Sequence, residues 1–279
     1  MNFQRVNNQN PCPACGKNSW CLLAPDAALC MRVSSERPYT MKDGSIGYWH
    51  SFDGTRPRKW VPTERKEPPK IDAEEMINSW VKSTTRADLK TESEFLGVSL
   101  ESLVSLKCCW SEEWQSWAFP MRNGGGKVCG IRLRFSDGRK LAVTGSRQGN
   151  FIPWRKADKR VFLVEGPTDT AAMLTIGLFC IGRPSCGGGV LELKQTVHLL
   201  GIEELVIIAD NDKDKFAPDG RKFNPGMDGA ESLIRQIPVK SCIITMPTKD
   251  IRDFVKHGGT AADVEDIVKN AIWENTGLR

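Results

Sequence analysis

Arg160-Val161-Phe162-Leu163-Val164-Glu165-Gly166-Pro167-Thr168-Asp169 and, forty residues on, Leu205-Val206-Ile207-Ile208-Ala209-Asp210-Asn211-Asp212 decide the fold class. Each begins with a short apolar run that does not alternate with polar residues, which is how a strand reads when both of its faces are covered. Helical patterns follow from about Thr168 to Ile176, from Pro225 to Gln236 and from Asp250 to His257, with a further strand over Ser241 to Thr245. Buried strands alternating with helices predict a parallel α/β sheet. Such sheets receive their ligands at the carboxyl ends of the strands. Glu165 stands at one such end, and Asp210 and Asp212 at another. Residues i and i+2 project to the same side, so the two aspartates can share a cation. Three carboxylates brought together repel one another unless a divalent ion is present, and magnesium or manganese favours an all-oxygen set. The plainer reading of strand-end acids is that they cap helices or lie in solvated loops, and Asp250 and Asp253 fit it, Asp250 as the cap of the helix it precedes.

Upstream, residues 71–159 have a different texture. Ala73 to Thr85 and Thr91 to Leu106 carry helical apolar spacing, with Ser99 placed to cap a helix. The apolar run Trp117 to Met121, the turn Asn123-Gly-Gly-Gly126, the alternating run Val128 to Phe135 and the turn at Asp137-Gly138 predict a small antiparallel sheet. Ile131, Leu133 and Phe135 fall on one face of it, Arg132 and Arg134 on the other. The plain reading of that second face is a solvated one.

Further upstream, Arg56 to Lys70 (RPRKWVPTERKEPPK) has mixed charge, prolines and little to bury, and reads as a linker. It closes off an N-terminal module, residues 1–55, holding four of the ten cysteines: Cys12, Cys15, Cys21 and Cys30. Cys12-Pro-Ala-Cys15-Gly16 has the spacing of a metal knuckle, and Trp20 to Leu23 with Ala28 to Arg32 reads as a ribbon that brings Cys30 towards it. A module too small for a core of its own fits a structural Zn2+. The fourth ligand is open between Cys21 and His50, since zinc takes thiolate and imidazole alike. Trp20, Tyr48, Trp49 and Trp60 stand among basic residues, an arrangement that suits stacking on single-stranded bases or the core of a tiny domain.

Across the 279 residues, 26% are charged and 40% hydrophobic, which excludes a disordered chain. No apolar run approaches the roughly 20 residues of a membrane span, and the start lacks a signal-peptide pattern, so a cytoplasmic protein with reduced thiols and no membrane partner is expected. The net charge of +5 is unevenly spread. Residues 1–70 carry 11 Lys/Arg against 6 Asp/Glu, residues 71–160 carry 15 against 11, and residues 161–279 carry 13 against 17. Basic segments suit polyphosphate partners, and an acidic one suits divalent cations.

Val161-Phe-Leu-Val-Glu165-Gly-Pro-Thr-Asp169 with Ala209-Asp210-Asn-Asp212 resembles the Toprim signature shared by bacterial and phage primases, some topoisomerases, and certain nucleases and repair proteins. The resemblance extends upstream. The zinc knuckle, the strand Phe119-Pro-Met-Arg122, Gly130-Ile-Arg132-Leu-Arg134 and Gly145-Ser-Arg147-Gln-Gly-Asn-Phe151 are similar to the zinc ribbon and basic subdomain of DnaG-like DNA primases. The implied organisation is α/β overall: a zinc ribbon of small β type (1–55), a linker (56–70), a mixed α+β basic subdomain (71–159) and a Toprim-type parallel α/β sheet (160–279). The implied activity is synthesis of short RNA primers on single-stranded DNA from ribonucleoside triphosphates. Glu165, Asp210 and Asp212 would hold Mg2+ or Mn2+, with Asp169 behind them or beside them. Arg132, Arg134, Lys140 and Arg147 would contact template or triphosphate. Aligned on these primases, Cys21 falls on a strand position without a ligand, which leaves Cys12, Cys15, Cys30 and His50 for zinc. Val33 stands where the ribbon's second ligand pair would end, and Lys213 to Asn224 is longer than the family's short turn. A topoisomerase is disfavoured, because both tyrosines, Tyr39 and Tyr48, lie in the zinc module. With no GxxxxGK[ST] motif, a separate helicase is expected, and a phage or mobile-element replicon with it. The competing readings are a Toprim nuclease and a non-catalytic, zinc-dependent single-stranded-DNA-binding replication protein.

Overall fold

The computed structural model describes residues 4–40, 46–52, 69–186, 188–216 and 222–275. Most of the expected linker, residues 56–68, lies outside them. The chain forms two compact units, Met1–Glu67 with Asp214–Asn224, and Pro68–Lys213 with Pro225–Arg279.

In the first unit, β1 (Gln4–Arg5), β2 (Leu22–Leu23), β3 (Ala27–Cys30), β4 (Pro38–Thr40) and β5 (Ile46–Ser51) make an antiparallel sheet in the order β1-β2-β3-β5-β4. β3 is buried along its whole length. The ribbon expected from Trp20 starts later, at Leu22, because Trp20 takes a left-handed backbone (φ 72°) that no strand continues through.

The second unit opens with α1 (Ala73–Ser83), α2 (Arg86–Leu96) and α3 (Leu100–Ser105). The helical spacing of Thr91 to Leu106 is split between two helices. Gly97, at φ 71°, ends α2, and the Ser99 side chain accepts from the Ser102 N–H to start α3. Then β6 (Cys109–Ser111), β7 (Ser116–Arg122), β8 (Val128–Arg134) and β9 (Lys140–Ala142) form the expected antiparallel sheet in sequential order. Ile131 and Leu133 are buried with Ile77 of α1, whereas Arg132 and Arg134 are half-buried.

The remaining elements are β10 (Arg160–Glu165), α4 (Pro167–Thr175), β11 (Cys180–Arg183), α5 (Val190–Leu200), β12 (Glu204–Ala209), the hairpin β13 (Lys215–Phe216) and β14 (Lys222–Phe223), α6 (Pro225–Ile234), β15 (Lys240–Thr245), α7 (Ile251–Lys256), α8 (Ala261–Lys269) and β16 (Trp273–Asn275). Strands pair β11-β10-β12-β15 in parallel, and β16 closes the edge antiparallel. The parallel sheet is consistent with the Toprim-type sheet of the sequence reading. Its strands read as unbroken apolar runs because both faces are covered. Val161, Leu163, Leu205 and Ile207 meet Leu193 of α5 and Leu233 of α6 on one face. Phe162, Val164, Val206 and Ile208 meet Met173 of α4, Ile251 of α7 and Val264 of α8 on the other. The two sheets share core: Leu103, Phe119 and Met121 pack with Phe151, Ala171 and Ala172. Residues 71–159 and 160–279 are thus continuous in packing. The extra segment after Asp212 forms the β13–β14 hairpin, which groups with the N-terminal unit.

Candidate functional site

The acidic residues stand where the sheet directs them. Glu165 is the last residue of β10 and pairs across to Arg183 of β11. Gly166 leaves the strand at φ 88°, ψ 166°, a conformation open to glycine, and Pro167 starts α4. This turn places Asp169 in the first turn of α4, 7% exposed. Asp210 follows β12, and the Asn211 N–H donates to the Lys249 carbonyl (2.8 Å), which ties this loop to the one after β15. Asp250 then caps α7, accepting from the Asp253 N–H at 2.8 Å.

Electrostatics joins these positions. Burial, then the charges of Asp250 and Asp210, push the Asp169 carboxyl up to about 7, against the pull of Arg252 and Lys140. Burial, then Glu165, Asp250 and Asp212, push Asp210 up to about 7, with Lys140 opposing. Glu165, Asp210, Asp212, Asp169 and Asp250 are therefore close enough to feel one another. They are not drawn into a tight ligand cage: among the described residues, the four cysteines make the group whose ligand atoms lie within 4.8 Å of one another. An open, mutually repelling set of carboxylates at strand ends has the donor chemistry of a hydrated magnesium or manganese site, in which water fills much of the coordination shell.

The arginine face of the antiparallel sheet is not a solvated one. Burial lowers Arg132, with the Glu165 charge opposing, and its Nη2 donates to the Pro184 carbonyl at 3.1 Å. Arg134 is also lowered by burial and by Arg252, with Glu92 and Asp169 opposing. Lys140, on exposed β9, acts on both Asp169 and Asp210. Arg147 stands apart from these, exposed, with its charge acting on the Cys129 thiol. Asp250 is what the sequence reading missed. It was legible as a cap, and it is one, but it also follows a parallel strand, the same cue that found Asp210.

Gly226 supports the Asp210 loop from beneath. A Cβ there would overlap the Asp210 carbonyl oxygen and crowd its backbone nitrogen at 3.3 Å, and backbone cannot yield as a side-chain tip can. Gly226→Ala is therefore expected to displace Asp210 at a cost of ~1–3 kcal/mol in stability, read as a lower Tm, and with it at least tenfold in any activity of the acidic cluster.

In the N-terminal unit, Cys12, Cys15, Cys21 and Cys30 converge. Cys15 Sγ and Cys21 Sγ are 3.7 Å apart, and Cys21 Sγ and Cys30 Sγ 3.9 Å. A tetrahedron of zinc–sulfur bonds of about 2.3 Å requires sulfurs about 3.8 Å apart. Backbone N–H groups of Arg32 and Val33 point at Cys30 Sγ (3.4 and 3.2 Å), that of Met31 at Cys21 Sγ (3.5 Å), and Arg32 Nη1 also reaches Cys21 Sγ at 3.5 Å. These donors favour the thiolates, but burial outweighs them without a metal, pushing Cys21 up to about 12 and raising Cys30, a cost that a bound Zn2+ would offset. The donor set fits Zn2+, and it gathers Cys21, the alternative fourth ligand, with the other three sulfurs. The His50 Nε2 is instead 3.0 Å from the Val33 carbonyl oxygen. The left-handed turn at Trp20 takes Cys21 out of the strand and points its thiol inwards. Of the module's aromatics, Tyr48 and Trp49 are half-buried and Trp20 is 76% exposed; Trp60 lies outside the described residues.

An antiparallel sheet whose arginines face the acidic ends of a parallel α/β sheet has the fold of DnaG-type primase catalytic cores. The Escherichia coli primase catalytic core matches over 72% of this chain and 79% of its own, at 13% identity and a TM-score of 0.53. A DnaG primase catalytic domain bound to single-stranded DNA matches over 72% and 78%, at 13% identity and TM-score 0.54. The zinc-binding and RNA polymerase domains of Aquifex aeolicus primase match over 74% of this chain and 63% of theirs, at 14% identity and TM-score 0.54. No family model and no curated protein matches the sequence.

Proposed function

We propose that the chain is a DNA primase that joins ribonucleotides on a single-stranded DNA template, with the Toprim-type segment 160–279 and the basic segment 71–159 forming its catalytic core. The observation that carries this reading is the acidic cluster at the ends of β10, β12 and β15, set against Arg132, Arg134 and Lys140. Asp169 and half-buried Asp210, pushed up to about 7 by burial first and then by the neighbouring carboxylates, are poised for a divalent cation, and the cations beside them suit a triphosphate or template phosphate. Glu165, Asp210 and Asp212 would hold Mg2+ or Mn2+, which when bound supplies Lewis-acid stabilisation of phosphoryl transfer. Asp169 and Asp250 shape the field around those ligands. Arg132 feels the charge of Glu165, and Arg134 those of Glu92 and then Asp169, which suits orientation of the incoming ribonucleoside triphosphate, and exposed Lys140 and Arg147 suit the template. The zinc module would select the start site, and a separate helicase would deliver the template.

The test is incubation of the protein with single-stranded DNA of randomised sequence, labelled ribonucleotides and magnesium. Short RNA, dependent on template and lost with chelator, is the expected product. Cleavage of the DNA with no RNA made would establish the nuclease reading instead. Binding alone, with neither product, would leave a template-binding protein.

A further inference from the structure

Trp154 is the least expected surface residue of the second unit. It is 74% exposed, although an indole of this size is normally covered. Its backbone is fixed on both sides. Phe151 exchanges backbone hydrogen bonds with Gly182 (2.8 and 2.9 Å), and the Trp154 N–H donates to the Ser105 carbonyl at 2.7 Å. Next in the chain, Arg155 donates to the Gly177 carbonyl at 3.3 Å and lies 5.4 Å from the Phe179 ring centroid. The indole is thus held out on a rigid support.

Cations surround it. Lys107 Nζ is 5.7 Å from the ring centroid and Arg122 Cζ 5.9 Å. Lys107 reaches that position from a left-handed turn after α3 (φ 52°). Arg122 is 5% exposed, with its guanidinium anchored on the Gly126 carbonyl at 2.9 Å. Arg155 and Lys156 line an open cleft with Pro153 and Trp154. Among the described residues Lys159 and Arg160 are paired with Glu203, Glu204 and Glu265, but Lys107, Arg122, Arg155 and Lys156 have no ion-pair partner. The cation contacts at nearly 6 Å leave most of the indole open to solvent. A flat π surface beside Lys107, Arg155 and Lys156, none of them in an ion pair among the described residues, is complementary to an unpaired base and its flanking phosphates.

We propose that Trp154 is a stacking platform for a base of single-stranded nucleic acid, with Lys107, Arg155 and Lys156 holding the adjoining phosphates and buried Arg122 fixing the support beneath the ring. The platform is separate from the acidic cluster. Trp154 lies three residues beyond the Phe151–Gly182 pairing, towards the start of β11, whereas Glu165 and Arg183 mark the other end of the sheet. It would hold a strand outside the catalytic centre, without base preference, because every base has a π face. The proposal rests on the reading that this chain acts on single-stranded DNA, and its test separates the two.

The experiment is equilibrium binding of a fluorescent oligothymidylate to the full chain, by anisotropy at fixed salt. Trp154→Ala is expected to weaken binding about tenfold, with an unchanged Tm, and Trp154→Phe to stay within about threefold of the wild type. A photoreactive uracil in the oligonucleotide should crosslink to the peptide carrying Trp154. If Trp154→Ala binds as the wild type does, or the crosslink maps elsewhere, the platform is overturned, whatever the outcome of primer synthesis. If Trp154→Ala loses binding while the wild type makes no RNA, the platform stands and the primase reading falls.

Discussion

Asp210→Asn is expected to lower primer synthesis about a thousandfold and, in the metal-free protein at neutral pH, to raise the melting temperature. Both effects have one origin. The wild-type carboxylate is held beside Glu165, Asp250 and Asp212 in a partly buried place, at an electrostatic cost that a bound divalent cation offsets. Asparagine keeps the shape and removes the charge, so the repulsion goes and a cation ligand goes with it. Transition-state stabilisation by a metal is worth several kcal/mol, and each 1.4 kcal/mol is tenfold in rate.

The pH dependence follows with a definite sign. Asp169 and Asp210 titrate near 3.8 in the unfolded chain and at about 7 in the fold. Between those values the folded state binds more protons, so the stability of the metal-free protein falls as pH rises from about 4 to about 7, and levels off above that. Thermal denaturation with chelator from about pH 5 to about pH 8 measures the slope, which for two groups is at most about 3 kcal/mol per pH unit between their unfolded and folded titration points. Magnesium should flatten it, and Asp210→Asn should halve it. A wild-type melting temperature indifferent to pH, or undiminished RNA synthesis by the variant, contradicts this account of the cluster.

Cys21→Ser is expected to remove zinc from the purified protein and to unfold the N-terminal module. Cys21 is the sulfur that bridges the other corners, 3.7 Å from Cys15 and 3.9 Å from Cys30. It is fully buried with Val6, Ala28 and Cys30 in a core too small to stand without the metal. Apparent zinc binding in comparable small modules is worth about 10–16 kcal/mol, and that binding free energy is also folding free energy. Metal analysis should give one zinc per wild-type chain and well under half in Cys21→Ser. Rapid proteolysis confined to the N-terminal residues should accompany the loss. His50→Ala should keep its zinc, because its ring engages the Val33 carbonyl. Zinc retained in Cys21→Ser and lost in His50→Ala would restore the histidine.

Some of this structure is fixed by local sequence alone. Val161 to Val164 and Leu205 to Ala209 are apolar on both faces, which leaves a doubly covered parallel sheet as the arrangement that buries them. The acids that follow mark its ligand-binding edge. Alternation in Val128 to Phe135 likewise fixes which of its residues face the core. Those readings depend on periodicity, a property of neighbours in the chain. What periodicity does not carry is the direction of a single side chain at a break. Cys21 reads as a strand residue between Trp20 and Leu22, and only the left-handed turn at Trp20 makes it a ligand. Asp250 reads as a cap, and only the register of β15 beside β12 sets it among the other acids. Arg132 and Arg134 read as a solvated face, and only the packing of one sheet against the end of another desolvates them beside Glu165 and Asp169. The sequence by itself determined the elements, their buried faces and the edge where the chemistry lies. The tertiary structure decided which charged and sulfur-bearing side chains meet there, because proximity between residues far apart in the chain depends on how elements pack, and no local pattern encodes it.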